Sequence, residues 1–179
     1  VGNDRNAILF TGNWYTAYSS NNGIDFQFVD PKSLTSPGTN FCCDQVVNAS
    51  DEDDDELVAW LLQYAVGGDT NTIRVATYDG RSDLLTTVAS LTPCVYDFQP
   101  EDFDLDDDRR FDYNAMENSD EWLYVSTNVY TISKDSDGNA TAKGDLVWRV
   151  KLDDLTDGDC RLSSGYEWVY DDDSQSARL

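Results

Sequence analysis

No histidine occurs among the 179 residues, so the chemistry open to this chain is narrowed first by subtraction. Ser-His-Asp and Cys-His nucleophiles, imidazole zinc sites and a histidine pH switch are excluded, which leaves carboxylates, tyrosines, lysines, arginines or a hard metal ion. Asp135-Ser136-Asp137-Gly138-Asn139 sets oxygen donors at alternate positions around a glycine, as a short loop does when it wraps a hard cation, and Ca2+ is the cofactor expected there. The plain alternative is a solvated hairpin tip. Asn139 also opens the sequon Asn139-Ala140-Thr141, and a glycosylated Asn is a poor metal ligand. Arg74 and Arg149 are the candidates for gripping an acidic ligand group, with an ion pair to a nearby acid as their structural alternative. The acidic runs 51–56, 104–108 and 171–173 repel internally and read as hydrated turns, or as places where cations or a basic partner adsorb. Arg109-Arg110, beside the second run, is most simply charge compensation. Five Trp and ten Tyr could stack on sugar rings, yet Trp60, Trp122 and Trp148 lie within apolar strands, where core packing is the stronger expectation.

Composition sets the surroundings. Thirty-five acids against twelve bases give a net charge of −23, and 29 of the acids are Asp. Asp competes with the backbone for hydrogen bonds and favours turns and caps, so this excess predicts strands and loops rather than helices. Such a field repels phosphate backbones and anionic membrane faces, which argues against nucleic-acid partners. No apolar stretch reaches 18 residues, so membrane insertion by a helix is not expected. Cys42, Cys43, Cys94 and Cys160 form no C-x-x-C pair and are disulfide candidates of unassigned pairing. With the sequons at Asn48 and Asn139 they suit a secreted or cell-surface glycoprotein.

The positioning elements are strands. Residues 13–19, 25–29, 57–64, 72–78, 122–127 and 146–152 alternate apolar and polar residues or carry β-branched and aromatic runs, separated by Gly/Asn/Asp/Ser turns. Short helical turns are expected at 99–103 and 153–155. The chain also repeats itself. Asp44-Gln45-Val46-Val47, an acidic turn, Glu56 to Trp60, Ile73-Arg74-Val75 and Asp79 are echoed by Asp112 to Met116, Asn118-Ser119-Asp120, Glu121 to Val125, Trp148-Arg149-Val150 and Asp154. Each unit, roughly 44–98 and 112–170, reads as a meander of about four strands, the pattern of a propeller blade with long loops.

Ser19-Ser20-Asn21-Asn22-Gly23-Ile24-Asp25-Phe26 resembles the Asp-box of sialidase-like propellers, Ser-x-Asp-x-Gly-x-Thr-Phe/Trp, with Ser19, Asn21, Gly23 and Phe26 in register and Asn21 and Asp25 replacing the usual Asp and Thr. The segments 40–47, 60–64 and 71–76 are similar to secreted bacterial propellers of the same type, and the resemblance covers roughly residues 6–152. It implies that the box is a structural turn between the third and fourth strands of a blade, its aromatic tucked beneath. It also likens 135–141 to blade calcium loops, with Ala140 in place of a second Gly, Lys143 where a closing Asp is usual, and Asp145 as the substitute ligand.

The resulting expectation is an all-β chain of antiparallel four-stranded meanders, one propeller-like domain over 1–179 that is incomplete, since six or seven blades need about twice the length. Its partners would be other protein chains or the remainder of the propeller, and glycans. The role expected is structural, assembly or ligand binding, without catalysis by the chain alone. The alternatives are a fragment of a sialidase-type glycoside hydrolase, which would need a Tyr, Glu and Arg triad, and an acidic halophilic surface protein.

Overall fold

The computed structural model describes residues 2–4, 7–34, 40–41, 44–50, 57–65, 71–79 and 93–172. Cys42, Cys43, the acidic run 51–56, the side chain of Trp60 and Asp173 lie outside the described residues. The described residues are mostly antiparallel β-structure in three consecutive sheets. The first is the meander β1 (Gly2–Asp4), β2 (Ala7–Gly12), β3 (Tyr15–Ser19) and β4 (Gln27–Val29). The second holds β5 (Asn40–Phe41), β6 (Val46–Ser50), β7 (Leu57–Ala65), β8 (Asn71–Asp79) and β9 (Cys94–Phe98). Both β5 and β6 pair with the same edge of β7, so they act as one first strand broken at Asp44, whose φ of 54° turns the chain there. The third is the meander β10 (Arg109–Asn118), β11 (Trp122–Lys134), β12 (Ala140–Lys151) and β13 (Tyr166–Asp171). Each expected repeat falls within one sheet. The expected helical turns are the 3-10 turn Pro100–Phe103 and the short helix α1 (Leu152–Thr156).

Period-2 patterning explains the packing. Along β11, Leu123, Val125, Thr127, Val129 and Thr131 are buried and the intervening residues less so, a half-covered strand. In β8 every residue from Asn71 to Tyr78 is buried, as required of a central strand covered on both faces. Its Ile73 and Val75 join Leu61, Phe98, Phe103, Phe111, Leu123, Val125 and Trp148 in a core between the second and third sheets. Its Ala76 and Tyr78 join Leu9, Tyr18, Phe41 and Val47 in a smaller core against the first sheet. Phe103, on the 3-10 turn, is fully buried and meets Trp148 with ring centroids 5.0 Å apart. Truncation of so large a buried ring typically costs about 3–5 kcal/mol.

The sheets stack in chain order, and they approach most closely through their first strands: β6 lies against both β1 and β10. The last strands β4, β9 and β13 make no comparable approach to a neighbouring sheet among the described residues. The disulfide Cys94–Cys160 joins the last strand of the second sheet to the loop after α1. No helix among the described residues is long and apolar enough to cross a membrane.

Candidate functional site

Buried amide side chains hold the sheets in register. Gln45, at the break between β5 and β6, accepts from the Thr16 hydroxyl at 2.7 Å and donates to the carbonyls of Gly12 and Tyr15 at 2.6 and 3.2 Å. Asn71, at the start of β8, donates to the Phe111 carbonyl at 2.7 Å, and the Phe111 N–H donates back at 2.8 Å. Asn71 thus copies one rung of a β-ladder across the gap between sheets, where an unmet backbone group would cost about 1–3 kcal/mol, whereas Gln45 meets a hydroxyl and two carbonyls. Asn48 on β6 reaches side chains of β10, donating to Asn118 Oδ1 at 2.8 Å and Glu117 Oε1 at 3.2 Å. The sequon residue Asn48 is thus half-buried between the second and third sheets. Asn139 is exposed at the β11–β12 hairpin tip.

Residues 19–26, which resemble an Asp-box in sequence, span the turn from β3 to β4, the third and fourth strands of the first sheet. The Ser19 hydroxyl oxygen accepts from the Gly23 N–H at 2.9 Å and donates to Asn21 Oδ1 at 2.9 Å. Asn21 Oδ1 accepts from the Asp25 N–H at 3.0 Å, and Asn21 Nδ2 donates to the Asp25 carboxylate at 3.1 Å. The substituted Asn21 and Asp25 therefore close the loop on each other. Gly23 sits at φ +79° against Ile8 and the Phe26 ring. Phe26 lies against Gly23 of the turn, as a ring beneath it would, but is half exposed.

Arg74 and Arg149 both lie on the third strand of a sheet, and each is met by an acid directly opposite on the next strand. Arg74 makes a two-pronged pair with Asp97 at 2.7 and 2.8 Å. Arg149 reaches Glu167 at 2.6 and 3.0 Å and lies 4.1 Å above the Trp122 ring. The structure does not bring the two arginines together, and it favours their ion-pair role. The expected calcium ligands also separate. Asp135 Oδ1 is taken up by the N–H groups of Asp137 and Asn139, both at 2.9 Å, in the exposed hairpin tip. Asp145 stands mid-strand opposite Asn128 and Asp171, roughly 20 Å along the ladder at about 3.3 Å per residue, so it is no substitute ligand for that loop. No group of three metal-ligating side chains occurs among the described residues.

A concavity of about 360 Å³ lies at the edge of the third sheet, where the turn after Phe103 faces β13. Gln99 and Asp102 form a capping box at the start of the 3-10 turn, and Asp104, in the left-handed conformation, ends it. The chain then doubles back so that Arg109 donates to Asp106 at 2.8 Å and to Asp108. On the far wall the Tyr170 hydroxyl donates to the Lys143 carbonyl at 2.9 Å, and burial pushes that phenol's pKa up, with Arg109 opposing. Between the walls lies Trp168, 37% exposed, its edge against Phe103 at 6.2 Å. Asp104, Asp106, Asp172, Arg109 and Lys143 line the same concavity as Trp168. A partly exposed indole among carboxylate acceptors and cationic donors is a combination that can take a hydroxyl-rich ligand such as a sugar ring. The sequence offers Trp168 as one of several possible sugar-stacking rings and the run 104–108 as a hydrated or cation-adsorbing turn, but nothing local to either places them in one cleft. Among the tryptophans, Trp148 is in the core as expected and Trp122 is half-buried beneath Arg149.

Comparison with protein-family models, curated proteins and solved structures finds no match.

Proposed function

We propose that this chain is a module of a secreted or cell-surface β-propeller of the sialidase-like Asp-box kind, serving assembly and glycan binding rather than catalysis. The observation that carries the proposal is the stacking of three successive four-stranded meanders that approach through their first strands while their last strands stand apart. Sheets arranged in this way are wedges, and wedges added in sequence turn about an axis. The Ser19–Asn21–Asp25 hydrogen bonds at a third-to-fourth-strand turn support the family reading. The disulfide Cys94–Cys160 and the exposed sequon at Asn139 support an oxidising, extracellular setting. The Trp168 cleft is the place for the glycan. Titration of the protein with a panel of neutral and acidic oligosaccharides, read by calorimetry, is expected to find a binder whose affinity falls at least tenfold in Trp168→Ala. A panel with no binder, or one bound equally well by that variant, would remove the glycan role.

A further inference from the structure

The cleft beside Trp168 holds that ring still and within reach. Along β13 the alternation of the strand puts Tyr166, Trp168 and Tyr170 on one side. The outer two are tied down: the Tyr166 hydroxyl donates to the Asp102 carbonyl at 2.9 Å, and the Tyr170 hydroxyl to the Lys143 carbonyl at 2.9 Å. Trp148, directly across the ladder from Trp168, is buried in the core, and Phe103 meets the Trp168 ring from the other side of the cleft floor. The indole between these anchors stays partly exposed on the last strand of its sheet, so a ligand ring that stacks on it orders little of the protein in doing so.

The charges around the ring are not balanced. Arg109 is committed to Asp106 and Asp108, as Arg74 is to Asp97 and Arg149 to Glu167, so the three guanidinium groups best placed to grip a ligand carboxylate are already met by acids of the chain. Asp104 and Asp172 line the cleft, and among the described residues neither carboxylate takes part in an ion pair or a side-chain hydrogen bond. The Lys143 ammonium, on the same lining, has no acidic partner among the described residues either. Two open carboxylates against one ammonium leave the lining negative, on a chain whose net charge is −23. An acidic sugar would enter against that field. A sugar bearing an ammonium group would be drawn in by it and by the negative face of the indole.

We infer that the cleft selects a glycan with a free ammonium group, a hexosamine unit that stacks on Trp168 and turns its ammonium toward Asp104 and Asp172; the inference rests on the glycan reading of this cleft. Calorimetry with a glucosamine tetramer, its fully N-acetylated counterpart and a galacturonate tetramer tests it, at about pH 6, where carboxylates are ionised and such an amine is charged. The free-amine tetramer should bind about tenfold tighter than the N-acetylated one, the sum of two exposed ion pairs and a cation–indole contact, and the uronate should bind weakest. Asp104→Asn and Asp172→Asn should each cut that advantage by about two- to threefold. Asn suits the left-handed backbone at Asp104, so the first change spares the turn. Lys143→Gln keeps the carbonyl that holds Tyr170 and should strengthen binding of the amine; if it weakens binding instead, the ligand group is an anion and the inference fails. An N-acetylated or uronate tetramer bound as tightly as the amine also overturns the inference and leaves the glycan reading standing. An amine advantage that survives Trp168→Ala overturns it too, since that would be adsorption to the acidic surface at large. Failure of all three tetramers to bind removes the glycan reading and this inference together.

Discussion

Asp154 shows how a single carboxylate folds a loop. It is 4% exposed on α1, yet burial is outweighed by the Ser163 hydroxyl, the Ser164 N–H at 2.8 Å and the Ser164 hydroxyl, which hold its pKa below the ordinary carboxylate value. A carboxyl depressed by folding contributes stability that is present above its unfolded pKa, about 3.9, and is lost as pH falls through the folded value. Denaturant midpoints are therefore expected to drop below about pH 4. In Asp154→Asn the midpoint at pH 7 should be lower and the acid decline shallower; equal acid declines in both proteins would refute this role. The amides of Gln45 and Asn71 act at the same scale, and neither was legible as a clamp in the sequence. A buried Asn or Gln bridging two sheets has the same local signature as a turn residue, because its partners are 29 to 40 positions away.

At the scale of the strand, the third sheet depends on one glycine. Gly144 in β12 has φ +146°, and a Cβ there would run into the backbone carbonyl of Asp171 on β13. The register shift between β11 and β12 falls at the same place, between Val129 and Tyr130, so the strand is bent where the glycine admits its neighbour. Gly144→Ala is expected to cost about 1–3 kcal/mol, read as a lowered urea midpoint, by forcing β12 and β13 apart. The strands themselves were largely readable, since β7, β8, β11 and β12 follow the β-branched and aromatic runs. Their lengths were less so: β11 runs on from Thr127 to Lys134, because Val129 and Thr131 continue the buried face that polar Asn128, Tyr130 and Ser133 obscure. The first sheet carries no repeat legible in the sequence, its strands being short and three of its exposed positions, Phe10, Tyr15 and Phe28, aromatic rather than polar.

For the whole molecule, the Cys94–Cys160 bond closes a loop of 66 residues across the second and third sheets. Cross-linking so long a loop restricts the unfolded chain by about 4 kcal/mol in the loop-entropy view. Replacing both cysteines with Ala is expected to lower the unfolding free energy by roughly that amount, which equilibrium denaturation would measure; an unchanged midpoint would place the stability in the sheet contacts alone. The residue types by themselves determined that this is a β-rich, Asp-studded chain without histidine chemistry and that its strands come in successive meanders. These follow from propensity, period and absence, which are local properties. Tertiary structure alone decided which cysteine meets Cys94, that both arginines are spent on acids of their own sheets, that Asp145 stands far from the Asp135 loop, and that Trp168 lines a polar cleft. Each of these depends on residues distant in sequence meeting in space, and the alternation of a single strand says which side chains share a face but not what lies against that face.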